Sequence, residues 1–292
     1  MESLRTLLEE TAGNPVRILG EDPVGGGCIH DARRIRTTDG DLFVKRSPAE
    51  DAPLLRSEAE GLAALRATRT VRVPETHACG VRGDTAFLAL EWIDLRRLDR
   101  ESGARLGEEL ARLHLAATDL PFGWEQDNFI GRTPQENTPH DDWPAFFRER
   151  RLLPQLRMAK DHGHDLPPAE PFLGKIEAFF PGESRVPCSP LHGDLWGGNA
   201  ASDPEGRPVL FDPAFYRGDP ETDLAFSRFF GGFPESFYRA YSKHHPERPG
   251  WQTRQTLYNL YHVLNHLNLF GAGYLAEARR MIAGLNDRAG RG

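Results

Sequence analysis

Apolar positions along the chain follow two rhythms. Near the start Leu4, Leu7 and Leu8 recur at helical spacing, and Gly13 supplies a stop. The period then shortens. VRILG reads as a short strand, and ARRIRTTDGDLFVKR as two strands around an Asp39-Gly40 turn. PLLRSEAEGLAALRA returns to the helical period, and short strands follow near residues 71–73, at Val81 and over 87–92. Beyond Asp94 helices dominate. LGEELARLHLAA carries leucines on one face, and DDWPAFFRERRLLPQLRMA starts at Asp141 or Asp142 with Pro144 in its first turn. WQTRQTLYNLYHVLNHLNLFG is a long apolar helix closed by Gly271. A strand-rich first third and a mostly helical remainder predict an α+β protein of two lobes, residues 1–94 and 95–292, hinged near 90–95. Residues 163–171, rich in proline and glycine, read as a surface loop.

Composition narrows the setting. A chain of 292 residues, 39% hydrophobic and 10% aromatic, can bury a large core. Its 36 basic and 43 acidic side chains give a net charge of −7, with no long basic run. Nucleic acid and anionic membrane are therefore poor partners. No apolar run reaches spanning length, and MESLRTLLEE lacks the apolar region of a signal peptide. Cys28, Cys79 and Cys188 are scattered and odd in number, which is no disulfide framework. A cytoplasmic protein is expected.

The first lobe carries the parts of a nucleotide cover. Gly25, Gly26 and Gly27 sit between a strand and its partner, where glycine lets backbone N–H groups approach phosphate oxygens. Taken alone the run is a flexible turn. LFVKR places Lys45 on a strand leading away from that turn, as a phosphate-binding lysine is placed in protein kinases; the alternative is a lysine facing solvent. Leu55, Glu58, Leu62 and Leu65 fall on one helical stripe, so Glu58 faces inward and needs a charged partner, for which Lys45 is the candidate. Glu60 falls on the opposite, solvated side. In FLALEWIDL, backbone groups of Glu91, Trp92 and Ile93 are expected to meet an adenine edge between apolar side chains.

The second lobe carries the chemistry. His192-Gly193-Asp194-Leu195-Trp196-Gly197-Gly198-Asn199 has the spacing H-x-D-x-x-x-x-N of a kinase catalytic loop. Asp203-Pro204-Glu205-Gly206 suits a type I turn, which returns the chain to Asp212. Asn199 and Asp212 then supply hard oxygen ligands for Mg²⁺, and Asp194 faces an acceptor hydroxyl as the catalytic base. His192 is assigned a scaffold role through backbone hydrogen bonds. One task explains the whole set: ATP and its metals are held against an acceptor.

HGDLWGGN resembles the HGDLW-S-GN signature of the fructosamine (ketosamine) 3-kinase family, which shares the fold of protein kinases and aminoglycoside phosphotransferases. The likeness runs nearly end to end: GGGCIHDARRI, FVK at Lys45, E-x-x-GL from Glu58, NFIG, DDWPAFF, FGGFP, DPAFYRGDPETDLA and LYHVLNHLNLFG all fit. His30 and Gly197 depart from the commoner residues of that pattern. The resemblance implies ATP-dependent phosphorylation of the sugar 3-hydroxyl of ketosamines, whether fructosamines, ribulosamines or erythrulosamines, on free amines, lysine or glycated protein. The 3-phosphate is unstable and releases the sugar from the amine.

Several residues keep two readings. Trp196 either stacks on the sugar or is a core tryptophan. Asp219 and Glu221, with Asp223, are candidates for attracting the cationic amine of the substrate; Asp223 equally suits a helix N-cap. His262 and His266, one turn apart, line the core or the cleft. Cys28 in the phosphate loop is a candidate redox switch or chain-to-chain link. The protein is expected to be a monomer or weak homodimer. The rival activities are another small-molecule kinase of the aminoglycoside or choline type, and a nucleotide-binding scaffold without turnover.

Overall fold

The computed structural model describes residues 2–25, 31–116, 118–181 and 186–290. The chain opens with α1 (Glu2–Ala12), then β1 (Ile18–Pro23), β2 (Asp31–Thr37) and β3 (Gly40–Pro48). After them come α2 (Ala52–Ala67), β4 (Thr76–Arg82) and β5 (Thr85–Glu91). The five strands form one antiparallel sheet in the order β1-β2-β3-β5-β4. Alternation along the strands gives the sheet two apolar faces. Leu42 and Val44 of β3, with Phe87 and Ala89 of β5, pack on Leu4, Leu7 and Leu8 of α1. Leu88 and Leu90 look the other way and join Leu55, Leu62 and Leu65 of α2. The Val71 and Val73 segment, expected as a strand, is irregular; both side chains are buried, and the Arg72 carbonyl accepts from the Leu210 amide at 3.0 Å.

The remainder is mainly helical. It runs through α3 (Arg100–Leu115), the hairpin β6 (Asn128–Ile130) and β7 (Thr133–Gln135), α4 (Trp143–Phe147), α5 (Leu153–Asp161) and α6 (Glu170–Leu173). Then come β8 (Ser189–Leu191), β9 (Ala200–Ser202), β10 (Pro208–Leu210) and β11 (Tyr216–Gly218). The chain closes with α7 (Glu221–Ser227), α8 (Glu235–Ser242), α9 (Trp251–Phe270) and α10 (Leu275–Ala289). The helix expected over 141–159 is broken by a π-helical turn at Arg148–Leu152. There Arg151 is fully buried, with its guanidinium 4.1 Å from the Tyr216 ring and donating to the Glu136 carbonyl at 2.6 Å. Among the described residues no helix is long and apolar enough to cross a membrane.

One apolar cluster runs from α2 and β5 through α3 and α4 to α9 and α10. The core therefore continues across residue 94. We keep the division there as a proposal, since the sheet ends at Glu91.

Candidate active site

Lys45 stands on β3, the central strand of the sheet, opposite Ala32 on one side and Leu88 on the other. It shares the face of α2 rather than the solvent. Only 7% of the residue is exposed, so its ammonium must be compensated. Lys45 Nζ donates to Glu58 Oε1 and Oε2 at 2.9 and 2.7 Å, and to Asp212 Oδ1 at 2.7 Å. Burial works against the ammonium, but Asp212 and Glu58 outweigh it and raise the lysine well above its ordinary value. Burial pushes the Glu58 carboxyl up to about 7, against the pull of Lys45. Asp212 is held below the usual carboxylate range, because Lys45 overcomes its desolvation. Glu58 is enclosed, whereas the Asp212 side chain is 46% exposed. Glu60, expected in solvent, is half-buried and accepts from Gln126 Nε2 at 2.8 Å.

The backbone from His192 to Asp212 is shaped by a few requirements. Gly193 has φ 82, and a Cβ there would lie 2.0 Å from the Ala214 carbonyl oxygen. Asp212 itself holds φ 56, a left-handed conformation that is costly outside glycine and typical of functional sites. The expected turn forms: Gly206 N donates to Asp203 O at 3.0 Å, with Arg207 Nε and Nη held on Asp203 and Glu205. His192 is buried; its Nε2 donates to Phe211 O at 3.0 Å while its Nδ1 accepts from Asp194 N at 3.3 Å. Burial holds this ring below its ordinary pKa, against the pull of Asp223. Its scaffold role is visible in those bonds.

Asn199 joins the catalytic pieces. Its Nδ2 donates to the Asp194 carbonyl and to Asp194 Oδ2, both at 2.9 Å, and reaches the Asp212 carbonyl at 3.5 Å. Lys45, Asp212, Asn199 and Asp194 thus form one connected chain of contacts. Burial pushes Asp194 up to about 7; Asn199 opposes this, while Asp212 and Asp223 add to it.

The supporting residues were mostly outside the motif reading. Asp223 lies inside α7 and does not cap it. Its Oδ2 accepts from His192 N at 2.7 Å and its Oδ1 from Gly193 N at 2.9 Å, anchoring the catalytic loop. His114, at the end of the α3 apolar stripe, bridges Asp223 Oδ2 at 3.3 Å and the Tyr241 hydroxyl at 2.8 Å. Asn128, in the quoted NFIG, donates to Phe215 O at 2.7 Å, and Gln135 Nε2 reaches Ala214 O at 3.2 Å. Together they grip the backbone just after Asp212. Only a fold could bring them there; the single signal in the sequence was a polar residue set among buried ones.

Other expectations are corrected. Asp219 and Glu221 do not face a substrate amine. Both are buried: Asp219 Oδ2 takes Arg248 Nη2 and the Tyr258 hydroxyl, each at 2.6 Å, and Glu221 takes Arg254 Nε at 2.6 Å. Two guanidiniums already neutralise them. The amides of Glu91 and Trp92 are spent on Glu75 O at 2.7 Å and Asp41 O at 3.3 Å. Of the three backbone N–H groups in that stretch, that of Ile93 alone makes no hydrogen bond among the described residues, and the expected adenine contact remains a proposal. Gly25 is exposed at the β1–β2 turn, and a Cβ there would meet nothing within 4 Å. Gly26, Gly27, Cys28 and His30 lie outside the described residues. Trp196 is half-buried and edge-on to Phe230 at 5.6 Å, so part of its ring reaches solvent.

A buried lysine–glutamate pair on an antiparallel sheet, joined through Asp212 to a loop with Asn199 and Asp194, is the arrangement of a kinase-like fold. The Fructosamine kinase family model matches residues 1–288, and the chain belongs to that family. A protein of Synechocystis named as a ketoamine kinase is 41% identical over 281 residues, 96% of this chain and 95% of its own. The chloroplastic protein-ribulosamine 3-kinase of Arabidopsis thaliana is 42% identical over 283 residues, covering 93% and 84% respectively. A crystal structure titled as a fructosamine-3-kinase of Haemophilus somnus 129PT superposes with a TM-score of 0.90 at 26% identity, covering 97% of each chain. The chain is accordingly an ATP-dependent kinase.

Proposed function

We propose that this kinase transfers the γ-phosphoryl group of ATP to the 3-hydroxyl of ketosamines, with ribulosamines or fructosamines on amines or lysine as acceptors. The observation that carries this reading is the unbroken run of contacts from Glu58 through Lys45, Asp212 and Asn199 to Asp194. Lys45 is positioned to hold phosphate oxygens, with Glu58 fixing its direction. Asp194 orients the acceptor hydroxyl and takes its proton as the new oxygen–phosphorus bond forms and the bond to the ADP oxygen breaks. Its raised pKa suits it to keep that proton at neutral pH.

Mg²⁺ fits the donors present. The Asn199 amide nitrogen is committed to Asp194 and Asp212, which leaves its Oδ1 as a ligand; Asp212 opens to the cleft beside it. Among the described residues no three acidic, histidine or cysteine side chains gather as a closed cage, in keeping with an ion that takes most of its ligands from phosphate and water. When bound, the ion neutralises charge on the phosphates. The relatives named for ketoamines and ribulosamine support the choice of acceptor. Trp196, half-buried and two residues after Asp194 in the chain, offers an aromatic face for the sugar.

The test is ADP release with ATP and ribulosyl-lysine, fructosyl-lysine or an aminoglycoside. Turnover of a ketosamine is expected, and Asp194→Asn should lower kcat by about 10²–10⁴-fold while nucleotide binding persists. Turnover of the aminoglycoside alone would overturn the assignment.

A further inference from the structure

The acceptor side of Asp194 is closed by a residue that the nucleotide half of the site does not use. His262 stands on α9 and is 4% exposed, and its Nδ1 has no hydrogen-bond partner among the described residues. That atom lies 3.9 Å from Asp194 Oδ1, beyond hydrogen-bond reach. Asp194 Oδ2 is engaged by Asn199 Nδ2 at 2.9 Å, so Oδ1 is the oxygen on the open side.

The ring is not free to turn away. It lies flat on Phe226, with centroids 3.6 Å apart and planes inclined by 6°, and meets Tyr261 edge-on at 5.2 Å. One turn along α9, His266 Nδ1 is held by the His262 carbonyl at 2.8 Å, which leaves the His262 ring as the polar group facing Asp194. A buried polar atom with no partner costs about 1–3 kcal/mol. Where such an atom is locked beside a catalytic carboxylate, a ligand is the natural partner.

We propose that Asp194 Oδ1 and His262 Nδ1 together read two neighbouring hydroxyls of the acceptor, the attacked 3-hydroxyl on Asp194 and the 4-hydroxyl on His262. This rests on the ketosamine reading above. A single oxygen spanning a gap of 3.9 Å would need two bonds close to a right angle, and a bond from His262 would draw on the lone pairs used for attack. Hydroxyls on adjacent carbons fill the same gap with one ordinary bond each. Burial first, then His266 and Arg151, hold His262 well below its ordinary pKa, and a neutral imidazole can either donate to or accept from a hydroxyl.

The experiment compares a ribulosamine with its 4-deoxy analogue in the unaltered protein, His262→Leu and His262→Asn, with KM for ATP and melting temperature measured alongside. The unaltered protein should prefer the intact sugar by about tenfold to a hundredfold in kcat/KM, the cost of leaving one buried partner unpaired. His262→Leu should lose that preference through a raised KM for the sugar at unchanged KM for ATP. His262→Asn, which keeps a polar atom near the Nδ1 position, should regain part of it. A preference that survives His262→Leu overturns the inference and leaves the kinase assignment standing. Equal rates on both sugars in the unaltered protein do the same, whether or not the leucine variant folds. Phosphorylation of neither sugar defeats both readings.

Discussion

Two buried charge clusters in this molecule use the same residue types to opposite ends. Around Lys45, one ammonium serves two carboxylates, Glu58 and Asp212, and the second of these opens into the cleft. At the start of α7, two carboxylates, Asp219 and Glu221, meet two guanidiniums, Arg248 and Arg254, with the Tyr258 hydroxyl completing the set. Arg254 is fully buried and also donates to the Phe179 and Pro249 carbonyls at 3.1 and 2.6 Å. The second cluster is balanced and closed, as a structural ion pair must be if its desolvation is to be offset. The first is unbalanced and half open, so it can accept a polyanion and cations from outside. Incomplete compensation, rather than burial or charge as such, distinguishes the cluster proposed to bind ATP from the closed one.

The sharpest way to break the comparison is to remove one cation from each. Lys45→Met should lower kcat/KM for ATP by about a hundredfold or more, as when one preorganised charge partner is lost. Its melting temperature should move by only about 2–4 °C, because Glu58, already near 7, takes up a proton in place of the ammonium. A large loss of stability with intact ATP use would make the Lys45 cluster structural after all. Arg254→Leu should do the reverse. It leaves Glu221 buried beside only Arg248 and should cost about 3–5 kcal/mol in urea unfolding, with KM for ATP unchanged in the folded fraction.

A smaller effect sharpens the balance of the second cluster. His245 stacks on Tyr241 at 5.2 Å, and burial first, then His114, Arg248 and His244, push its pKa down to about 4. The unfolded value is about 6.5, so the folded state resists the proton. The stability it contributes is full above about pH 6.5 and is lost as pH falls toward about 4, by on the order of 1 kcal/mol for a ring partly screened by solvent. His245→Phe keeps the ring stack without the titration. Melting curves over that window should fall less steeply for the variant; parallel slopes would remove His245 from the balance.

Much of the catalytic half was legible because it is local. The spacing of Asp194 and Asn199 and the turn at Asp203-Pro204-Glu205-Gly206 fix a short hairpin, and hairpin geometry follows from adjacent residues. The stripe through Leu55, Glu58, Leu62 and Leu65 marked Glu58 as an inward carboxylate for the same reason. Asp219 and Glu221 were misread because a carboxylate in sequence carries no sign of what neutralises it. Arg248 and Arg254 lie more than a helix away along the chain. For Asp223 the local signal, a carboxylate before an apolar run, suits a cap or a substrate contact equally, whereas its bonds to the His192 and Gly193 amides span 31 and 30 residues.

The sequence by itself determined the α+β pattern, the catalytic loop and the family, since periodicity, turn chemistry and motif spacing are properties of neighbouring residues. Only the tertiary structure decided which charges are spent and which stay open: that Arg248 and Arg254 close one cluster, that Asp212 leaves the other ajar, and that His262 looks onto Asp194. Burial and pairing are long-range facts, set when distant segments exclude water together, and no local pattern records them.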